Sequence, residues 1–354
     1  MTNMVQRDQS IDSLKGIAII LMVIGHAGCW KFLHDYIYLF HMPLFFFITG
    51  YMFKFDYIDA PLKFIKRRLL TCYVPFVKYG LLFLMAHELL VPLGFTQHYS
   101  LHDYLHQVLW IFSFSGTEGV FLGPYWFLIE MFFASILFVV SLWGCEQLSR
   151  STHIQLSLKP ILGGVILIIT VCITILYTTN VHIPKISIKT FLAVIYIAIG
   201  CLWKLSSRTM SIFQTIFMLT LLAAILYFSP IHLGNKFDGG MGLYSIQEVA
   251  LYLPVSLLGI FGTWGLNGML CKSVNMKYFS FAGRNSFGIL TWHLLAMVIV
   301  MNLLHIAGID NLPAYKFPLS VTEYSAIIIA GTILITVLFI MAEQKLNFLL
   351  KRNH

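Results

Sequence analysis

The fold is decided by the stretch Asp12-Ser-Leu-Lys-Gly-Ile-Ala-Ile-Ile-Leu-Met-Val-Ile-Gly-His26, followed by Phe40-His-Met-Pro-Leu-Phe-Phe-Phe-Ile-Thr-Gly-Tyr51. Both segments are apolar enough to enter a membrane, and each carries one histidine. A titratable group in hydrocarbon costs about 2.5 kcal/mol or more, so it marks a functional site by default. We therefore expect His26 and His41 to take part in chemistry inside a membrane.

The composition indicates a membrane protein. Of the 354 residues, 58% are hydrophobic and only 11% are charged, whereas a soluble domain carries about 25% charged residues. This balance predicts an all-α, polytopic membrane helix bundle, with residues 1–354 forming a single integral domain. The net charge of +8 is typical of nucleic-acid binders, but in a membrane protein basic residues set the topology. We expect no nucleic-acid partner.

Apolar runs of spanning length predict about ten transmembrane helices. Most of the 23 basic residues fall on one side when both termini are cytoplasmic, which is the expected topology of a multi-pass protein of the inner (cytoplasmic) membrane. Segment 98–112 is predicted to be an amphipathic helix at the outer interface, and 229–246 an outer turn region. The predicted helices are 14–30, 36–53, 67–91, 124–144, 161–178, 190–205, 210–228, 247–266, 285–305 and 323–342.

A polar stripe runs along the first helix. Lys15 and His26 are eleven residues apart, so they differ by only about 20° around a helix, and Asp12 lies one turn before Lys15 on the same face. A hairpin places His41 at a depth similar to that of His26. The alternative interpretation is that each histidine only hydrogen-bonds a neighbouring helix. Asp12, Lys15, His26 and His41 are the candidate catalytic residues.

Further polar residues mark three other helices. Arg67 and Arg68 directly precede an apolar run, and the planar guanidinium group suits phosphate. Lys63 and Lys66 are better explained as topology anchors. The remaining candidates for substrate binding flank or enter later helices and are Glu118, Trp126, Glu130, Asn285 and His293.

The cysteines indicate neither a disulfide framework nor a metal site. All six are scattered singly, without a C-x-x-C pair. The nucleotide-binding glycine motifs and the G-x-S-x-G nucleophile motif are also missing from the sequence. We expect no bound metal.

The motifs resemble those of the acyltransferase-3 family of integral membrane acyltransferases, and within it the fucose 4-O-acetylase-like branch. They are D-x-x-K-G-I-x-I-I-L-x-V-x-G-H, F-H-M-P-L-F-F-F-I-T-G-Y, K-R-R-L-L-x-x-Y-x-P, G-P-x-W-F-L and G-R-N-S-F-G-I-L-T-W-H, which span residues 12–293 in order. Many members carry arginine where this chain has Lys15, and we interpret the lysine as a mark of the branch.

The resemblance implies transfer of an acetyl group from acetyl-CoA to a hydroxyl of a cell-envelope or exported carbohydrate, free or lipid-linked. It implies His26 as the base that activates the hydroxyl, Arg67 and Arg68 as ligands of the CoA phosphates, and Glu118, Glu130 and His293 as residues that orient the acceptor. Acetyl-CoA acts as donor and no cofactor is bound permanently. Membrane lipid is a further expected partner.

Two other classes of function stay open at this stage. Buried His, Lys and Glu residues also suit a proton-coupled transporter or flippase of a glycan or its acylated precursor, although such proteins usually carry internal repeats and none is visible here. A non-catalytic binding module on the same fold is the third reading. The sequence is silent on the acceptor sugar, the side of the membrane on which it is acylated and the oligomeric state.

Overall fold

The protein is helical throughout the part of the chain that the structure describes. The structure is a computed structural model that describes residues 8–93, 96–116, 121–152, 157–179, 181, 183–228, 241, 246–309, 312 and 318–352. Within these residues it contains no β-strand, only an isolated bridge between Ile183 and Ile186. Nearly all of the predicted 229–246 turn region lies outside them.

Fifteen α-helices are present in the described residues, and we number them in chain order. Shorter turns occur at Phe55–Tyr57, Val91–Leu93 and Gly123–Tyr125, and the π-helical turn Leu69–Tyr73 joins α4 to α5. The helices are α1 Gln9–His26, α2 Lys31–Tyr38, α3 His41–Tyr51, α4 Pro61–Arg68, α5 Val74–Met85, α6 His87–Leu90, α7 Leu101–Phe112, α8 Trp126–Ser151, α9 Leu158–Thr179, α10 Ile188–Ser206, α11 Ile212–Phe228, α12 Ile246–Ser273, α13 Lys277–Arg284, α14 Ser286–Ile306 and α15 Ser325–Arg352.

The long apolar helices confirm a multi-pass membrane protein. Within the described residues, seven helical stretches are long and apolar enough to cross a bilayer. Every predicted span coincides with helical structure, but α1 carries six polar or charged side chains and α11 has only 17 residues. The count of ten spans and the cytoplasmic termini therefore stay predictions.

The predicted helix 36–53 is wrong as a single element. The structure divides this region into α2 and α3, with a turn at Leu39 and Phe40. Pro43 explains the interruption, because it has no N–H to donate to the carbonyl of Leu39, four residues earlier. The break places His41 at the first residue of α3.

The chain forms two compact units that alternate along the sequence. Unit 1 comprises Met1–His41, Met210–Gly234 and Leu257–His354. Unit 2 comprises Met42–Thr209 and Asn235–Ser256.

Unit 1 is built around a very close approach of α1 to α13. Gly16 lies directly on the backbone carbonyl of Phe279, and Gly283 lies on the carbonyl of Asp12. At both glycines an added Cβ would overlap a backbone oxygen. The absence of side chains at these two positions lets the helices touch through their backbones.

Unit 2 contains a second close backbone contact at glycines, between α3 and α10. Gly50 of α3 lies on the carbonyl of Ile197, and Gly200 of α10 lies on the carbonyl of Phe47. Helix α10 also packs against α8 and α9, and its middle is almost completely buried. The predicted amphipathic segment forms α7, which begins with a capping box between Ser100 and Asp103.

A test of this packing replaces Gly283 with alanine. Alanine normally favours a helix, but here its methyl group would force α1 and α13 apart. We expect Gly283→Ala to destabilise the protein by about 1–3 kcal/mol and to lower the thermal unfolding midpoint in detergent. Gly268→Ala in the same unit is the matched control, because nothing lies within 4 Å of a Cβ there. Equal midpoints for the two variants would contradict the backbone contact.

Candidate active site

The centre of the candidate site in unit 1 is a pair of histidines. His26 is the last residue of α1, and His293 lies in α14. Their Nδ1 and Nε2 atoms, respectively, are 2.9 Å apart, and their rings are stacked with centroids 5.1 Å apart and planes inclined by 12°. The carbonyl of His26 also accepts a 2.9 Å hydrogen bond from Leu319 N–H, which fixes the end of α1.

The hydrogen bonds determine which nitrogen carries each proton. Nδ1 of His293 lies 2.9 Å from the carbonyl oxygen of Ile289, and a carbonyl can only accept, so this nitrogen donates. In neutral His293 the other nitrogen, Nε2, is then an acceptor, and Nδ1–H of His26 donates to it. Nε2 of neutral His26 is left with its lone pair.

Burial distinguishes the two members of the pair. His293 is fully buried, with 0% exposure, whereas His26 is half-buried. His26 is therefore the more exposed member of the pair, and its hydrogen bond to His293 fixes the orientation of its ring. A basic nitrogen, oriented by a buried acceptor, is the arrangement of a general base.

His41 lies near this pair but does not contact His26 through a hydrogen bond. It is buried, and its Nδ1 donates to the carbonyl of Ile37 at 2.9 Å. The ring of Tyr38 packs edge-on against His41 at 5.0 Å and against His26 at 6.2 Å. The ring of Tyr38 therefore lies between the two histidines that the sequence placed at a similar depth.

The polar stripe begins near a polar cluster at the start of α1. Asp12 is buried and Lys15 is half-buried. Beside Asp12, Ser13 Oγ donates to Asn267 Oδ1 at 2.6 Å, and Asn267 Nδ2 donates to the carbonyl of Ser10 at 2.9 Å. Asn267, on α12, was not a sequence candidate, because a single amide in a long apolar helix gives no signal.

Arg67 and Arg68 lie in unit 2, at the end of α4. The guanidinium of Arg67 donates to the hydroxyl of Tyr57 at 2.9 Å. The guanidinium of Arg68 lies 5.0 Å from the ring centroid of Phe64, and its buried Nε has no hydrogen-bond partner among the described residues. Arg67 is exposed and keeps further N–H donors for an anionic ligand, whereas Arg68 interacts with Cys72.

Two other candidates of unit 2 contact the start of α10. The carboxylate of Glu130 accepts hydrogen bonds from Ser187 Oγ at 2.8 Å and Thr190 Oγ1 at 2.5 Å, the two residues that cap α10. The ring of Trp126 faces Lys189 Nζ at 5.1 Å. Glu118 lies outside the described residues.

Asn285 joins α13 to α14 in unit 1. Its Nδ2 donates to the carbonyl of Phe281 at 2.9 Å, and its Oδ1 accepts from Gln344 Nε2 at 2.8 Å. The side chain therefore fixes the junction that leads to His293. Among the described residues, no cluster of three or more His, Cys, Asp or Glu residues is arranged to hold a metal ion.

A comparison with protein families identifies the class of enzyme. The acyltransferase-3 family model, described as an acyltransferase domain, matches residues 8–341. The chain belongs to this family and is an enzyme that transfers acyl groups. No curated protein and no solved structure matches the chain.

The structure adds to the surroundings of the histidine pair four residues of α2 that the sequence did not indicate, namely Lys31, His34, Asp35 and Tyr38. The ring of His34 stacks on Tyr38 at 3.9 Å, and its Nδ1 lies 3.1 Å from the carboxylate of Asp35. Lys31 Nζ also donates to that carboxylate at 2.6 Å. Burial raises the pKa of Asp35, but the hydrogen bonds from His34 and Lys31 outweigh it, so the pKa lies below its usual value.

This shift predicts a pH-dependent stability. A carboxyl group with a lowered pKa in the folded state stabilises the protein above its unfolded-state pKa of about 3.9, and the stabilisation is lost as the pH falls through the lower, folded-state value. We expect Asp35→Asn to lower the unfolding midpoint at pH 7 and to reduce the fall in midpoint between pH 7 and pH 3. The exposed Asp56 gives the control variant Asp56→Asn. A fall in midpoint as large in Asp35→Asn as in the unmodified protein would contradict the assignment.

Proposed function

We propose that this member of the acyltransferase-3 family transfers an acetyl group from acetyl-CoA to a hydroxyl of a cell-envelope or exported carbohydrate, within the inner membrane. The observation that carries the proposal is the His26–His293 pair. It offers a basic nitrogen in apolar surroundings, where a sugar hydroxyl must lose its proton before it can attack a thioester.

The chemistry needs one base and a route for the leaving thiolate. His26 Nε2 takes the proton of the acceptor hydroxyl as its oxygen forms a bond to the thioester carbonyl carbon. The carbon–sulfur bond then breaks, and the CoA thiolate takes up the proton, which returns His26 to its neutral form. While His26 is positively charged, its Nδ1–H bond to His293 becomes charge-assisted and stronger.

The thioester provides the driving force, so the protein supplies orientation and electrostatics. We assign His41 to the lining of the reaction site. Asp12 and Lys15 lie more than ten residues before His26 on α1, and we assign them to the approach to the site rather than to its centre. Arg67 and Arg68 are assigned to the phosphates of the donor. Arginine suits this role because its planar group can donate two hydrogen bonds to one phosphate. Glu130, Trp126 and Asn285 are proposed to act through the helix ends that they hold in place.

The proposal predicts that His26 is indispensable. We expect His26→Ala to lower acetyl transfer by a factor of about 10²–10⁴, the usual contribution of a general base. His26→Gln retains a hydrogen-bonding side chain without basicity and should be equally inactive. The measurement is the release of free CoA by purified protein in detergent, together with the acetyl content of envelope glycans when each variant is returned to a deletion strain.

Two controls separate this role from a structural one. His102→Ala alters a histidine whose side chain is 89% exposed and should leave activity unchanged. His293→Gln keeps an acceptor for His26 Nδ1–H and should retain more activity than His293→Phe. Activity of His26→Ala within a few-fold of the unmodified protein would refute the base. Loss of glycan export that depends on the proton gradient, with no consumption of acetyl-CoA in detergent, would favour the transporter.

The donor assignment is tested with the two arginines of α4. Removing one charged phosphate contact costs about 1.5–3 kcal/mol, so we expect Arg67→Ala or Arg68→Ala to raise the KM for acetyl-CoA roughly tenfold or more, with a smaller effect on kcat. Lysine at either position should restore binding only in part. The exposed Lys66 on the same helix supplies the control Lys66→Ala. If neither arginine variant changes KM, the two side chains only set the topology.

A further inference from the structure

A polar cleft of about 540 Å³ lies in unit 1. It is lined by the start of α1, the end of α12, the connection that follows α12, and α13. Its wall carries two basic side chains, Lys277 and Arg284, beside several neutral polar groups. The polar lining residues of α1 and α12–α13 are Gln9, Ser10, Asn275 and Ser280.

An apolar groove of about 400 Å³ adjoins the same two basic residues. It runs between α1, α13, α14 and α15, and its lining is almost entirely hydrocarbon. Lys277 and Arg284 belong to both cavities, so they lie where the polar cleft meets the apolar groove. The apolar lining includes Ile20, Val23, Phe281, Ile289, Ile333 and Val337.

The two basic residues lie on one face of α13 and make no ion pair with the described residues. They are seven residues apart on α13, which places them on one face of the helix, two turns apart. Both are exposed, and neither forms an ion pair with a carboxylate among the described residues. Two such cations at the edge of an apolar groove attract an anion that is attached to hydrocarbon.

A buried hydroxyl in the groove supplies an independent indication of a ligand. Thr336 of α15 is only 2% exposed, lines the groove, and its Oγ1 has no hydrogen-bond partner among the described residues. Thr215 and Thr291 donate to the carbonyl four residues earlier, whereas Thr332, one turn before Thr336 on α15, is also buried without a hydrogen-bond partner among the described residues. Of the two unpaired hydroxyls on α15, the one of Thr336 lines the groove. Leaving a buried hydroxyl unpaired is unfavourable, and a hydrogen bond to an oxygen of a bound molecule would offset that cost.

We propose that the cleft and the groove together bind an anionic lipid whose headgroup carries a phosphate and a net negative charge. Lys277 and Arg284 hold the phosphate, the polar part of the headgroup occupies the cleft beside Ser280, and one hydrocarbon chain lies in the groove. The hydroxyl of Thr336 donates to an oxygen of the lipid. A soluble phosphate compound matches the cleft but leaves the groove unused, and for this reason the observations favour a lipid.

The test measures lipid binding, which is independent of acyl transfer. The full chain is purified in a non-ionic detergent and titrated with phosphatidylglycerol or phosphatidylcholine, and bound lipid is counted by native mass spectrometry. We expect tighter binding of phosphatidylglycerol, and about fivefold weaker binding for each charge removed in Lys277→Gln and Arg284→Gln. Lys272→Gln is the control, because Lys272 is exposed in the same unit and lines neither cavity.

Two further experiments complete the test. One variant is chosen so that it does not destabilise the fold, and a competition experiment distinguishes a lipid from a soluble phosphate compound. Thr336→Val keeps the shape of the side chain, and we expect it to weaken phosphatidylglycerol binding without lowering the unfolding midpoint of the lipid-free protein. Inorganic phosphate or acetyl-CoA at millimolar concentration should not displace the lipid. Displacement by either soluble compound would overturn the lipid assignment, as would equal binding by the unmodified protein, Lys277→Gln and Arg284→Gln.

Discussion

The backbone contact between α1 and α13 determines where the two histidines meet. Gly16 and Gly283 lie against each other's helices, so the two chain segments share one crossing point. From that point each segment continues for ten residues to its histidine, from Gly16 to His26 and from Gly283 to His293. Along α1 the ten residues advance about 15 Å, whereas the other segment passes through the junction at Asn285 before α14 carries it to His293. The 2.9 Å hydrogen bond between the rings thus depends on two glycines far from it.

The choice of a histidine to orient the base follows from the surroundings. In soluble hydrolases a carboxylate often orients the catalytic histidine, but an ionised carboxylate in an apolar interior costs several kcal/mol. His293 provides an acceptor for Nδ1–H of His26 and carries no charge. The carboxylate of Asp35 lies instead beside Lys31 and His34, where ion pairing offsets its burial.

The sequence predicted the class of fold well because a membrane constrains it strongly. Apolar length alone locates the long helices, such as Leu158–Thr179, and the histidine at the end of α1 stands out against hydrocarbon. The break at Leu39 and Phe40 was missed because Pro43 lies in a run that is apolar on every side. Helix α13 was also missed, because eight residues of mixed polarity give no spanning signal.

The partner of His26 could not be found from the sequence either. His26 and His293 are 267 residues apart, and α14 is apolar around its whole circumference, so its periodicity does not indicate which face meets α1. The sequence therefore assigned His293 to the acceptor and placed His41 beside His26. Spacing along one helix identifies residues on a common face, but only the packing of a second helix decides which of them acquire a partner.

The polar residues of the membrane helices fall into two groups once their partners are known. Glu130 and Asn285 accept or donate hydrogen bonds within the chain, and these bonds hold a helix end in place. His26 Nε2, Arg68 Nε and Thr336 Oγ1 make no hydrogen bond to the described residues. Hydropathy penalises both groups alike, which is why the sequence marks Glu130 and Asn285 as readily as His26. A polar atom that has no hydrogen-bond partner among the described residues and also lines a cavity is a candidate for contact with a bound molecule. This criterion separates Thr336 from Glu130 and Asn285, whose hydrogen bonds are made within the chain.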